Sequence, residues 1–148
     1  MKNLFIIILL LSTGYSQNNV ECWGQDPSQF DLLTAPDGIF TTVDGFGCGN
    51  GCSRQFCAIN ESGGIECWGQ LDWNMFDIPD GIFTEISLGN SIMCAINESG
   101  GIECSCAVYG GNEDQRSVCW DQPNDTGYTQ IAVGDKHACA LDESGCVK

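Results

Sequence analysis

The sequence is poor in basic residues, in histidine and in recognisable catalytic motifs, and each scarcity argues against a class of function. Five Lys and Arg residues stand against 20 Asp and Glu residues, which gives a formal net charge of −15. Phosphate backbones and anionic membranes repel so acidic a chain, so we expect no nucleic-acid or membrane partner. The only histidine is His137, and no nucleophile elbow, zinc-protease helix or phosphate-binding loop is present. The sequence therefore predicts a protein that is not an enzyme and uses no cofactor.

Long apolar runs are scarce as well. The one such run, residues 4–11, follows Lys2 and precedes Gly14-Tyr15-Ser16. It is too short to cross a hydrocarbon core of about 30 Å as a helix, and small residues at positions 14 and 16 suit signal peptidase. We expect residues 1–16 to be a signal peptide and residues 17–148 to be secreted or extracytoplasmic. An uncleaved anchor is the alternative.

Cysteine, in contrast, is abundant, with 11 in 148 residues. In an exported chain this density is typical of a disulfide scaffold. Zinc binding is the alternative, but only Cys48 and Cys52 have a spacing near that of a zinc knuckle, and a single histidine adds little. The cysteine content therefore predicts disulfides and no metal site.

The chain contains internal repeats. Residues 57–67 read CAINESGGIEC and recur unchanged at residues 94–104. A weaker copy, CALDESGCVK, spans residues 139–148, and VECWGQ at residues 20–25 resembles the last part of a copy. PDGIFT occurs at residues 36–41 and again at 79–84, each time before an alternating segment typical of a strand. Such self-similarity indicates a repeat architecture of about three units, each with three or four short strands.

Each copy of the repeated segment has the pattern of a disulfide-clasped β-hairpin. Asn, Ser and Gly between two apolar segments favour a turn. A three-residue loop at residues 61–63 places Cys57 directly opposite Cys67, within disulfide range for an antiparallel pair. The same arithmetic pairs Cys94 with Cys104.

Two insertions relative to the repeat each bring a further pair of cysteines. One contains Cys48 and Cys52, and the other contains Cys106 and Cys119. An insertion that lacks core contacts benefits from a local covalent link, so we pair the cysteines within each insertion. The alternative for the second insertion is a bond between Cys94 and Cys119.

Three cysteines remain, and two of them belong to half-hairpins. Cys22 has no partner before it in the repeat, and the partner of Cys139 would follow Lys148. The two halves are complementary, so a Cys22–Cys139 bond would join the ends of a ring or neighbouring subunits. The alternative is that the chain is an incomplete piece of a longer repeat protein. Cys146 is left over, which suggests an intermolecular bond or a missing partner.

Taken together, these motifs resemble the regulator of chromosome condensation repeat in its secreted, cysteine-rich form. The resemblance rests on GNSIMCAI at residues 89–96, GDKHACAL at 134–141 and CWGQ at 22–25 and 67–70. It implies an all-β fold, a β-propeller of four-stranded blades around a central channel. About three units are present, so we expect a partial or assembling propeller with open edges. The third unit departs from the family pattern, because residues 104–106 read CSC where other copies read CWG. The family's nuclear exchange activity is not expected of an exported chain.

The function predicted from these features is a secreted interaction module that binds a protein partner through propeller loops. Trp73 and Phe76 lie in an apolar loop segment outside the repeated motif, so they are the predicted binding residues. An extracellular carbohydrate-binding module that uses Trp73 is the alternative. Self-association through open blade edges is also expected.

Overall fold

The computed structural model describes residues 20–24, 33–47, 54–69, 77–106 and 118–147. The predicted signal peptide lies outside these residues. Apart from a short helical turn at residues 118–120, the regular elements are strands: β1 (Phe40–Phe46), β2 (Gln55–Asn60), β3 (Ile65–Gly69), β4 (Phe83–Gly89), β5 (Ile92–Asn97), β6 (Ile102–Cys106), β7 (Tyr128–Val133) and β8 (Ala138–Asp142). The all-β fold predicted from the sequence is confirmed.

The strands form three antiparallel sheets in chain order. Sheet 1 has the order β1-β2-β3, sheet 2 has β4-β5-β6, and sheet 3 has β7-β8. Sheet 3 is extended by a single bridge between Leu141 and Val147. The resemblance implies four strands in each blade, and the described part of the chain supplies three, three and two.

The hairpin turns follow from one asparagine side chain. Asn60 Oδ1 accepts hydrogen bonds from the backbone N–H and the hydroxyl of Ser62 and from the backbone N–H of Gly64. Asn60 Nδ2 donates to Glu66 at 2.9 Å, and Gly63 adopts a φ of 86° that favours glycine. Asn97 makes the matching set of bonds in sheet 2. The turn is therefore encoded locally, and it sets the predicted register, with Cys57 opposite Cys67 and Cys94 opposite Cys104.

Three disulfides join described cysteines. The hairpin pairs Cys57–Cys67 and Cys94–Cys104 each have Cα atoms 4.0 Å apart. Cys106–Cys119 closes the second insertion, with a Cα separation of 6.2 Å. The alternative pairing of Cys94 with Cys119 is therefore wrong, because each sulfur has another partner.

The remaining cysteine predictions have two outcomes. Cys48 and Cys52 lie outside the described residues. Cys22, Cys139 and Cys146 are free thiols, so the predicted Cys22–Cys139 bond is not formed within one chain. The physical reason is their location: Cys22 packs on the outer face of sheet 1, whereas Cys139 belongs to sheet 3.

The apolar core consists of layers between successive sheets. Between sheets 1 and 2, Cys57 and Ile59 of β2 meet Ile86, Leu88 and other residues of sheet 2. Between sheets 2 and 3, the matching residues Cys94 and Ile96 of β5 meet Ile131 and Ala140. Sheet 2 therefore buries one face against sheet 1 and the other against sheet 3, as in a propeller or solenoid.

Hydrogen bonds between sheets repeat at equivalent strand positions. The Asp44 carboxylate accepts from the backbone N–H of Leu88 at 2.7 Å. The hydroxyl of Ser87, which holds the place of Asp44 in the next sheet, accepts from the N–H of Val133 at 3.1 Å. Burial first, and the nearby Asp44 carboxylate second, raise the pKa of Glu85 at the junction between sheets 1 and 2.

Candidate interaction surface

Six turns and connections lie next to one another at one end of the sheets. Each contributes an exposed carboxylate, and we call this set of residues the acidic rim: Asp37, Glu61, Asp80, Glu98, Asp125 and Glu143. The hairpin turns supply three of them and the segments that precede β1, β4 and β7 supply the others. The rim follows from the repeat because both repeated motifs, PDGIFT and NESGG, carry an acidic residue.

Backbone hydrogen bonds tie the rim into one continuous array. Within each sheet, the hairpin turn donates to the segment before the first strand: Glu61 N–H to Ile39 at 2.9 Å, Glu98 N–H to Ile82 at 3.1 Å and Glu143 N–H to Gly127 at 3.0 Å. Between sheets, the first strand donates back to the preceding turn: Phe83 N–H to Gly63 at 2.9 Å and Tyr128 N–H to Gly100 at 3.0 Å. Satisfied backbone groups of this kind hold the turns in fixed relative positions.

Two turn glycines make the close approach between units possible. A Cβ atom on Gly63 would lie 2.6 Å from Cγ2 of Ile82, and one on Gly100 would lie 2.5 Å from the backbone nitrogen of Gly127. Both glycines also have positive φ, 86° and 78°. Any other residue at these positions would therefore separate neighbouring turns as well as strain them.

The acidic rim also exposes apolar surface. Ile39 and Ile82, which hold equivalent places before β1 and β4, are 39% and 52% exposed. A rigid surface that combines carboxylates with branched apolar side chains suits a partner with basic and apolar residues. These acids lie far apart in the sequence, and only the fold brings the separate turns together.

A second feature is a cleft of about 420 Å³ beside β8. Ala138, Cys139 and Ala140 of β8 form one wall, Val118 and residues 121–123 form another, and Ile102 and Cys104 contribute from β6. Gln122 fixes the second wall by accepting a hydrogen bond from the N–H of Cys104 at 2.8 Å. His137 also lines this cleft, so the one histidine of the chain lies at a surface and not in a core layer.

The predicted binding residues Trp73 and Phe76 lie outside the described residues. Among the residues that the structure describes, no three His, Cys, Asp or Glu side chains are grouped so that they could hold a metal ion. In the same part of the chain, no helix has the length and apolar character needed to span a membrane.

Comparison with solved structures supports the fold. The chain is similar to the crystal structure of the CRINKLY WD40 ectodomain from the Arabidopsis thaliana receptor kinase ACR4, with a TM-score of 0.62 and 18% sequence identity. The similarity covers 86% of this chain and 41% of that ectodomain, so the chain spans about two fifths of the length of the matched protein. No family model matches the chain, and no curated protein matches it.

The fold is therefore that of β-propeller repeats, stabilised by disulfides. At 18% identity the likeness concerns the fold and no more. The more specific resemblance to regulator of chromosome condensation repeats stays a prediction.

Proposed function

We propose that the chain is a secreted, non-catalytic interaction module that binds a protein partner through the loops of its acidic rim. The observation that carries this proposal is the rim itself, an array of turns held by backbone hydrogen bonds both within and between sheets. Binding surfaces often consist of loops on a rigid scaffold. The three disulfides support an oxidising, extracytoplasmic location.

The charge of the rim suggests the chemistry of the partner. Six exposed carboxylates lie on one surface of a chain with a net charge of −15, and the exposed isoleucines lie among them. A partner with Lys or Arg residues around an apolar centre complements this surface. Such contacts speed association and weaken as salt is added.

Affinity capture with paired variants tests the proposal. The immobilised chain is exposed to extracellular medium from the cells that produce it, and retained proteins are identified by mass spectrometry. Their affinities are then measured with purified components. We expect the double variant Glu61→Gln/Glu98→Gln to weaken binding about tenfold or more, with a loss of its salt dependence. The backbone bonds of both residues are unchanged, so the rim should keep its shape.

Glu21→Gln/Asp121→Asn is the matched control. It removes the same number of exposed carboxylates away from the rim and should leave the affinity unchanged. Equal losses in both variants would indicate a general effect of net charge and would contradict a site at the rim. Retention of no protein at all would contradict the proposed function.

A further inference from the structure

The third strand of each complete sheet packs against the sheet that follows. Ile65 and Cys67 of β3 pack on the core layer shared with sheet 2. Ile102 and Cys104 of β6 do the same on the layer shared with sheet 3. At both junctions between sheets, a third strand with the pattern I-x-C therefore packs on the sheet that follows.

A segment with a similar pattern also packs on the outer face of sheet 1, the face turned away from sheet 2. Val20 and Cys22 pack against the cluster of Phe40, Ala58 and Trp68. Their segment reads VECWG, and β3 reads IECWG. Gly24 and Gly69, which end the two segments, both have positive φ, 127° and 103°. Residues 20–24 therefore lie on sheet 1 in the way that a third strand lies on the sheet after it.

The side chain of Trp23 shows what residues 20–24 lack. Its equivalent in β3, Trp68, is 7% exposed and stacks on Phe56 of β2, with ring centroids 5.6 Å apart. Trp23 itself is 87% exposed. Residues 20–24 therefore pack Val20 and Cys22 on sheet 1 but leave the tryptophan between them without the aromatic neighbour that covers Trp68.

Sheet 3 offers the complementary half. Among the described residues it has two strands, and Val147 meets the outer edge of β8 in one bridge to Leu141. Val147 is 69% exposed. The cleft beside β8 is lined by Ala138 and Ala140, which correspond to Phe56 and Ala58 beneath Trp68. At about 420 Å³, it has room for an indole ring.

The cysteines are complementary too. Cys139 is exposed and free, at the position where β2 and β5 have the clasp residues Cys57 and Cys94. Cys22 is also a free thiol, at the position of the clasp residues Cys67 and Cys104. One half of a disulfide-clasped hairpin thus lies on the outer face of sheet 1, and the complementary half belongs to sheet 3.

We propose that residues 20–24 of a second copy of this chain add to β8 as the third strand of sheet 3. The added strand runs antiparallel to β8, as β3 does to β2, and takes the place of Val147. Trp23 enters the cleft above Ala138 and Ala140. Cys22 lies opposite Cys139, and the two form a disulfide between chains. This is strand addition at an open sheet edge, with a side-chain pocket that sets the register.

The covalent step is an oxidation of two thiols. The thiolate of one cysteine attacks a low-molecular-weight disulfide such as oxidised glutathione and forms a mixed disulfide, releasing one reduced thiol. The thiolate of the other cysteine then attacks the mixed disulfide, and the second reduced thiol leaves. One disulfide between chains and two molecules of reduced glutathione are produced, and the glutathione disulfide takes up the two electrons and the two thiol protons.

The contact is head-to-tail, because it joins different surfaces of two identical chains. The described residues of each copy form three sheets, so two copies that close on each other bring six such sheets together. Closed propellers have about 4 to 8 blades. A two-copy ring is therefore the smallest closed assembly that we expect.

The test combines labelled and unlabelled copies of the purified chain. The two are mixed in a buffer of reduced and oxidised glutathione, and the unreduced digest is mapped by mass spectrometry while light scattering gives the molar mass. We expect a dimer whose Cys22–Cys139 peptides are hybrid in about half of the molecules, as random pairing of two equal pools requires. A monomer with both thiols free would overturn the proposal. So would a Cys22–Cys139 peptide without hybrids, because it would lie within one chain.

Tryptophan variants in a Cys22→Ser/Cys139→Ser background test the pocket without the covalent bond. Trp23→Ala should weaken the noncovalent dimer about tenfold or more, because a buried aromatic anchor is lost. Trp120→Ala is the matched control, since Trp120 is 70% exposed and has no place in the contact, and it should leave the dimer unchanged. Equal dimer affinities of the two variants would contradict the placement of Trp23. Binding to the rim partner serves as a separate readout, which these changes should not affect.

Discussion

Sheets 2 and 3 are built on the same hairpin but differ in what surrounds them. Cys94 and Ile92 of sheet 2 are fully buried, whereas Cys139 and His137 at the equivalent positions of sheet 3 are exposed. Ile102 is 6% exposed, and its counterpart Val147 is 69% exposed. In repeat folds a unit is stabilised by its neighbours. The comparison shows that burial in this chain comes from the following sheet and not from the repeated sequence itself.

The hydrogen bonds between sheets differ in the same way. Ser87 of sheet 2 accepts a bond from Val133 of sheet 3. The corresponding residue of sheet 3 is Ala132, which is exposed and has no side-chain acceptor. The outer face of sheet 3 therefore keeps the apolar pattern of an internal junction without its polar contact.

The largest expected effect is the loss of an internal clasp. The variant Cys94→Ala/Cys104→Ala removes the disulfide that closes the sheet 2 hairpin. We expect the free energy of unfolding to fall by about 2–4 kcal/mol, because the unfolded chain gains freedom. Urea denaturation without reductant, at a protein concentration that keeps the chain monomeric, measures the change.

Cys139→Ser is the control for this comparison. The residue is exposed and forms no disulfide within the chain, so the free energy of unfolding should change by less than about 0.5 kcal/mol. An equal loss in both variants would mean that Cys139 contributes to the isolated chain as Cys94 does, which would contradict the contrast between the two sheets.

Ser87→Ala addresses the polar contact between sheets. It removes the acceptor for the N–H of Val133 at a junction where Ser87 is buried. A buried donor left without a partner costs about 1–3 kcal/mol, so we expect a loss of stability in that range, again measured by denaturation. The reciprocal change Ala132→Ser should have almost no effect on the monomer. If Ser87→Ala is also neutral, water replaces the hydroxyl and the contact between sheets is not a source of stability.

Features that depend on residues close together in the sequence could be predicted from it. The loop of residues 61–63 and the pairing of Cys57 with Cys67 follow from Asn60 and two glycines, all within one short segment. The closure of the second insertion by Cys106 and Cys119 also required only a local argument. For the hairpin the physical cause is a turn that fixes the register, and for the insertion it is the benefit of a local covalent link in a segment that lacks core contacts.

Features that depend on the juxtaposition of units could not be predicted. The acidic rim combines Glu61 with Asp80 and Glu98, which are brought together by backbone bonds between sheets. The cleft beside β8 depends on Gln122, which is far from β8 in sequence and is held by Cys104. The repeat places an acidic residue in each motif, but the sequence pattern does not show that these motifs meet or that a cleft forms, because the contacts arise only when the sheets stack.

Gln55 marks another difference between equivalent positions. It is fully buried at the start of β2, where sheet 2 has Ile92 and sheet 3 has His137. Its amide nitrogen and oxygen make no hydrogen bond with the residues that the structure describes. Gln55→Met keeps the shape of the side chain and removes the unpaired polar atoms, so the free energy of unfolding should rise by about 1–2 kcal/mol. Gln130→Met, at an exposed position, is the control, and a loss of stability in Gln55→Met would show that the amide has a partner.

The smallest expected effect concerns Glu85, whose place is taken by Thr42 in sheet 1 and Gln130 in sheet 3. Because burial and Asp44 raise its pKa in the folded chain, protonation of Glu85 favours folding. This contribution is fully present below the ordinary value of 4.5 and is lost as the pH rises through the raised value. Glu85→Gln should therefore increase the melting temperature at neutral pH, and the difference from the parent chain should disappear below pH 4.5.

Two variants separate the causes of this pH dependence. Asp44→Asn keeps an acceptor for the N–H of Leu88 but removes the second carboxylate, so the pH-dependent gain from Glu85→Gln should become smaller and not vanish, because burial is the larger cause. Glu98→Gln removes one charge at the exposed rim and controls for net charge. If Glu98→Gln reproduces the gain, the effect comes from the overall acidity of the chain. The junction between sheets 1 and 2 would then carry no special electrostatic cost, and the contrast with the neutral residues at the same position in sheets 1 and 3 would have no energetic meaning.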